Sequence, residues 1–256
     1  MKNLLIYINP SRTFFGKEKS KSRDCTTLVK IQIDNSFDLG WKKEDILLVT
    51  NFDYEYNGVK SLVVDDNNFC PFDPLSTKTV TVSYLLSKGY LKNQELYWAH
   101  DFDAYQDNVI TETELELSAT DIGFTDYGWR PKWCLGSYFF KESSKDIFEL
   151  IKNTAYKHKI TDERALALLT SENTNNLNER IERLNITYNF GMRNVGFNYK
   201  IATKPLKVLH FHPHYTYKDN LPDTPLNCFM YGKNELNMPL MSERLIKIFH
   251  HHGIIQ

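Results

Sequence analysis

The sequence predicts an α/β protein: a single domain with a mixed, mostly parallel central sheet flanked by helices. Three observations predict it. Short apolar runs end at turn residues, as buried strands do; segments of helical period lie between those runs; and neither a repeat nor a linker divides the 256 residues. The reading is therefore one domain over 1–256, with 1–106 as its first half and 107–256 as its second.

Leu4 to Ile8 is an apolar run stopped by Asn9-Pro10, the pattern of a buried first strand. Residues 11–24 are polar and basic and are expected to form a loop beside that strand's C-terminal end. Asp45 to Thr50 reads as a second strand and Ser61 to Val64 as a third. Val80 to Lys88 has a helical period and leads into another strand, Glu95 to His100 (ELYWAH). Beyond residue 104, Thr111 to Ser118 (TETELELS) alternates polar with apolar and is expected to be a half-exposed edge strand. Trp133 to Phe140 (WCLGSYFF) is apolar around a single glycine. Ser144 to Asn153 reads as an amphipathic helix. Thr161 is placed to cap another helix, with Asp162 and Glu163 in its first turn complementing the dipole. Leu177 to Leu184 is expected to be helical, Lys207 to Phe211 a strand, and Met241 to His250 a closing helix whose His250-His251-His252 end is solvated.

Composition narrows the function. At 41% hydrophobic and 25% charged, with no run near the roughly 18 apolar residues of a membrane span, the chain reads as soluble and globular. The opening MKNLLIYINPSRTFFGKEK has too short an apolar stretch for a secretory signal. A net charge of −1 argues against a dedicated nucleic-acid binder. Cys25, Cys70, Cys134 and Cys228 are far apart, so neither a zinc knuckle nor a disulfide framework is expected. A cytoplasmic enzyme is the expectation. The AT-rich character of the composition hints at a viral or low-GC bacterial source. The 14% of aromatic residues are read first as core, and second as a groove that stacks on sugars or bases.

The segment Leu96 to Gln106, LYWAHDFDAYQ, carries the most chemistry. A buried strand delivers Asp101 and Asp103 where it leaves the sheet, and ligands of parallel α/β sheets bind beyond the carboxyl ends of strands. Alternation along an extended backbone would turn both carboxylates to one side, toward one hard divalent cation. In KVLHFHPHY, His210, His212 and His214 alternate, and one imidazole would complete an oxygen-rich site; Pro213 takes His214 off the common face.

Taken in order, these pieces resemble the metal-dependent nucleotide-sugar glycosyltransferases of the GT-A fold. Asp101-Phe102-Asp103 stands where that family has its DxD motif, Gly136 within its acceptor loop, Thr161-Asp162-Glu163 at its acidic helix start, and His210 or His212 at its late metal histidine. LNITYN at 184–189 followed by KVLHFHP is similar to the end of glycogenin-like transferases, although Pro213 and His214 stand where those have glycine and lysine.

The resemblance implies transfer of a sugar from a nucleoside-diphosphate donor, by family default a UDP-sugar, to an acceptor hydroxyl. Mn²⁺ or Mg²⁺ would be held by Asp101, Asp103 and His210 or His212, with Asp101 also near the donor. Asp162 is the candidate base for an inverting reaction and Glu163 the alternative; a retaining reaction would not need one. Ile8, Asn9, Pro10, Asn51 and Phe52 are placed to line the donor pocket. Trp129, Arg130, Trp133, Gly136 and Tyr138 are candidates for binding the acceptor, a glycan, a protein or a modified nucleic-acid base. The basic loop Lys17 to Arg23 is placed to touch an anionic acceptor. Two rivals stand beside this reading: a metallohydrolase built from His100, Asp101, Asp103, His210 and His212, and a non-catalytic glycan- or nucleic-acid-binding module.

Overall fold

The computed structural model describes residues 1–9, 24–92, 95–115, 117, 120–130, 132–192, 195–211 and 240–254. It has the mixed α/β architecture expected. Strands β1 (Lys2–Tyr7), β2 (Ile46–Thr50), β4 (Val59–Val63) and β5 (Leu96–His100) run parallel in the order β4-β2-β1-β5. The short β3 (Glu55–Tyr56) closes one edge through an Asn57-Gly58 hairpin, whose two residues both take positive φ as a tight turn of this kind demands. On the other side β8 (Trp133–Lys141) is antiparallel to β5, followed by β7 (Ile122–Asp126) and β9 (Ile181–Arg183).

Alternation along β1 sorts the core into layers. Leu4 and Ile8 join Val82, Leu85, Phe148, Ile151 and Leu166 beneath helices α2 (Thr77–Ser87), α3 (Lys145–His158) and α4 (Asp162–Ser171). Leu5 and Tyr7 pack with Val29 and Ile33 of α1 (Thr26–Asp38) on the opposite face. Helix α6 (Glu243–His251), lying after α5 (Val195–Ile201), packs on α1 through Leu245, Ile248 and Phe249, which cluster with Leu28 and Ile31.

A smaller sheet sits at the C-terminal end of β5. Its strands are β6 (Ala104–Gln106), β11 (Val208–His210) and β10 (Phe190–Gly191), in the order β10-β11-β6. The register pairs His210 with Ala104, and Gly191 with His210.

Three expectations are corrected. Among the described residues of 111–118 there is no strand: Thr113–Leu115 form a 3-10 turn, while Leu115 and Leu117 are buried against Trp98 and Phe139. The free edge of β7 is taken instead by β9. Leu177 to Leu184 is not a helix but the end of a 3-10 segment followed by β9; positive φ at Asn173, Asn175 and Asn176 stops helical propagation there. Helix α1 was not legible. Its buried side includes Gln32, Asn35 and Ser36, which bond to the backbone of β6, to Asn3 and to the helix's own turn, so its face does not read as apolar.

Candidate active site

Asp101, Phe102 and Asp103 make the turn between β5 and β6, closed by Ala104 N–H donating to Asp101 O at 3.0 Å. The two carboxylates therefore converge because the chain reverses, and not by alternation along a strand. His210 arrives opposite this turn on β11, where Phe211 N–H donates to Asp103 O at 3.0 Å. Its Nε2 lies 3.4 Å from Asp103 Oδ1 and 3.8 Å from Asp101 Oδ2. These side chains form a group whose ligand atoms all lie within 4.8 Å of one another. The imidazole is 4% exposed and Asp101 40% exposed, so the cluster has a sealed side and an open one.

The imidazole is fixed by its neighbours. Asn189 donates its amide N–H to Thr125 Oγ1 at 2.8 Å, which turns its Oδ1 toward His210 Nδ1, also at 2.8 Å. With Nδ1–H donated there, Nε2 faces the carboxylates, the arrangement by which outer partners orient metal-bound histidines. Gly136, whose carbonyl accepts from Asp101 N–H at 2.7 Å, makes room for the ring: a Cβ at this position would overlap the imidazole. Burial disfavours charge on His210, yet the Asp103 carboxylate beside it outweighs that effect and holds its pKa well above the ordinary imidazole value. The carboxylates of Asp101 and Asp103 that face Nε2 concentrate negative charge where a cation would sit. Two carboxylates and one neutral nitrogen are a fitting donor set for Mn²⁺ or Mg²⁺.

Lys78 is the residue that sequence reasoning missed. It sits in the first turn of α2 with its ammonium buried, donating to Asp101 Oδ1 at 2.6 Å and to Leu135 O at 2.5 Å, over the Tyr138 ring. A cation opposes the positive end of a helix dipole, so a lysine in the first turn of an apolar helix was the available signal. Asn189 belongs to the LNITYN segment, whose spacing alone gives it no role.

The acidic pair is close to this network but engaged. Asp162 is buried; it accepts from Thr79 Oγ1 at 2.5 Å, and its N–H donates to Ser76 Oγ. Burial pushes its pKa up to about 7, against the opposing Thr79 hydrogen bond. As placed, it has no open face toward an acceptor. Glu163 accepts from Tyr127 Oη at 2.9 Å and from Leu135 N–H at 3.2 Å, keeps 19% of its side chain exposed, and is also pushed up by burial.

The other predicted residues divide. Asn9 and Asn51 bind each other across the ends of β1 and β2, Asn9 N–H donating to Asn51 Oδ1 at 2.8 Å and Asn51 Nδ2 to Asn9 O at 3.0 Å. Phe52 stands edge-on to Tyr7, and Ile8 is buried in the core. Trp129 and Arg130 stack on each other, Arg130 exposed. Trp133 and Tyr138 are corrected as acceptor platforms: Trp133 is covered by Arg183 and donates to Thr170, and Tyr138 is fully buried. Gly136 is likewise occupied by its packing on His210. His212, Pro10 and the basic loop Lys17 to Arg23 lie outside the described residues. His100 does not join the cluster: it is buried, stacked on Trp98 at 3.8 Å, with its nitrogens 3.0 Å from Asp101 O and 2.9 Å from Asn3 Oδ1. Burial lowers its pKa to about 3. A metallohydrolase needing His100 as a ligand loses that ligand.

Solved structures share this arrangement of the backbone. No protein-family model matches the chain, and no curated protein matches it. Its backbone is similar to that of the galactosyltransferase LgtC in complex with donor and acceptor sugar analogs, with a TM-score of 0.53 and 11% identity over 100% of this chain and 98% of that one. It is also similar to the glycosyltransferase GlyE of Streptococcus pneumoniae TIGR4, with a TM-score of 0.56 and 12% identity over 99% of this chain and 64% of that one. The chain has the GT-A fold. At such identities the likeness speaks for the fold, while the chemistry rests on the residues. No helix among the described residues is long and apolar enough to cross a membrane.

Proposed function

We propose that this protein is a metal-dependent glycosyltransferase that moves a sugar from a nucleoside-diphosphate sugar, a UDP-sugar by preference, to an acceptor hydroxyl. The observation that carries this reading is the convergence of Asp101, Asp103 and His210 at the C-terminal end of β5 in a GT-A fold. The three residues would hold Mn²⁺ or Mg²⁺, which supplies neutralisation of the charge that develops on the departing diphosphate.

This chain's own groups do the rest. Lys78 brings a second positive charge to the same place and holds Asp101 in position. Asn189 and Gly136 fix the orientation of His210. Asn9, Asn51 and Phe52, at the ends of β1 and β2, lie on the donor side of the fold, within residues 1–106. Trp129 and Arg130 offer an accessible stacked pair on the acceptor side, within 107–256. Glu163 takes the part of base in an inverting reaction, since Asp162 is sealed by Thr79 and Ser76; Asp162 positions the start of α4 against α2. The cytoplasm, where nucleotide sugars are made, is the compartment this reading implies.

A melting-temperature panel of UDP, GDP, dTDP and CMP, each with and without Mn²⁺, tests the reading. Ligand linkage predicts a small rise with Mn²⁺ alone and a clear rise with Mn²⁺ plus one nucleoside diphosphate, absent in Asp103→Asn. No shift with any nucleotide plus metal would overturn it.

A further inference from the structure

A second group of ligating side chains lies where α6 ends. The sequence predicts a solvated His252, yet its side chain is only 8% exposed and its Nε2 lies 2.8 Å from Asp34 Oδ2 on α1. His251 stands beside it with ring centroids 5.0 Å apart and planes at 88°. The ligand atoms of Asp34, His251 and His252 all lie within 4.8 Å of one another. Asp34 is itself held: Tyr56 Oη donates to its Oδ2 at 2.9 Å and Asn57 Nδ2 to its Oδ1 at 2.8 Å. It is distinct from the Asp101 cluster. Gln32, whose amide donates to Phe102 O and Ala104 O, precedes Asp34 by two residues, and two residues turn a helix through roughly 200°.

We propose that Asp34, His251 and His252 form a binding site for a late divalent transition metal, Zn²⁺ in the first instance. Two imidazoles to one carboxylate is a borderline donor set that favours Zn²⁺ over Mg²⁺ or Mn²⁺, the reverse of the two-carboxylate cluster at Asp101. Bonds of about 2.0–2.2 Å put the donors of a tetrahedral ion roughly 3.3 Å apart. The His252–Asp34 contact is near that spacing already, and the exposed His251 closes the remainder by side-chain rotation. Tyr56 and Asn57 are the outer partners that orient the ligating carboxylate. The C-terminal end of α6 contributes the negative pole of its dipole. Water completes the coordination. Such an ion ties α6 to α1 and to the Asn57-Gly58 hairpin, so its role is to hold α6 in place.

The proposal does not rest on sugar transfer and is tested separately from it. Zn²⁺ is titrated calorimetrically into the metal-stripped 256-residue protein, and into the same protein carrying Asp101→Asn and Asp103→Asn to remove the other cluster. A single tight Zn²⁺ site is expected to survive in the doubly substituted protein. It is expected to weaken by at least about tenfold in His251→Ala and in His252→Ala, and by about tenfold in Tyr56→Phe, which leaves every ligand in place. Because His251 is exposed, its replacement leaves the fold intact, which an unchanged circular-dichroism spectrum and metal-free melting temperature confirm. Zn²⁺ binding untouched by His251→Ala, or abolished by the aspartate substitutions instead, would show that His252 and Asp34 are only a hydrogen-bonded pair and overturn the site.

Discussion

An imidazole can present one nitrogen to a cation when the other keeps its proton, and in this protein that choice belongs to Asn189. Its amide is locked by Thr125, so its oxygen must face His210 Nδ1. Asn189→Ala is therefore expected to leave the fold in place while reducing Mn²⁺ affinity by about 10–100-fold, read by calorimetry. An unchanged affinity would mean that the carboxylates alone bind the ion. Asp162 provides a second test, through pH. Its carboxyl sits near 3.8 when unfolded and is raised to about 7 by burial, so between those values the folded state binds the extra proton. Stability from this group is full below pH 3.8 and is lost as pH rises through about 7, at about 1.4 kcal/mol for each pH unit of that interval. Thermal melts at pH 5 and pH 8 are expected to show the wild type losing stability that Asp162→Asn keeps. Equal slopes for the two proteins would place the carboxyl in water.

At the scale of elements, β1 is the strand on which both layers depend. Leu5 is fully buried against α1, and Leu5→Ala is expected to cost about 2–5 kcal/mol, measured by urea denaturation. A loss near zero would mean that α1 does not seal that face. The strands and helices of apolar pattern were legible because periodicity and burial agree: LYWAH is β5, DILLVT contains β2, and Thr161 accepts from Arg164 N–H as the cap its position predicts. Helix α1 escaped because its inward polar residues serve hydrogen bonds to β6 and not an apolar core. TETELELS misled for the opposite reason: its leucines are buried alternately, but the sheet edge they would have joined is filled by β9. The pairing of Asp101 and Asp103 could be anticipated from their place at a strand end. The bonds that hold their turn to Gly136 and Phe211, and Lys78 arriving from α2, are contacts between distant parts of the chain that no local spacing encodes.

On the scale of the whole molecule, the large sheet supplies a rigid edge and the small sheet brings late residues back to it. Residues 101–103, 136, 189 and 210 meet because β11 pairs with both β6 and β10, and because Gly136 on β8 accepts from Asp101 N–H. On the proposed reading, a GT-A fold with this junction is expected to bind a nucleoside diphosphate through a divalent cation at Asp101, Asp103 and His210. The most direct measurement is calorimetric titration of UDP into the wild type and into Asp103→Asn, with and without Mn²⁺. The account predicts binding that needs Mn²⁺ in the wild type and falls by at least about tenfold in the variant, the loss of about 1.4 kcal/mol or more expected for one charged ligand. Binding of equal strength in both proteins, or binding indifferent to Mn²⁺, would contradict it.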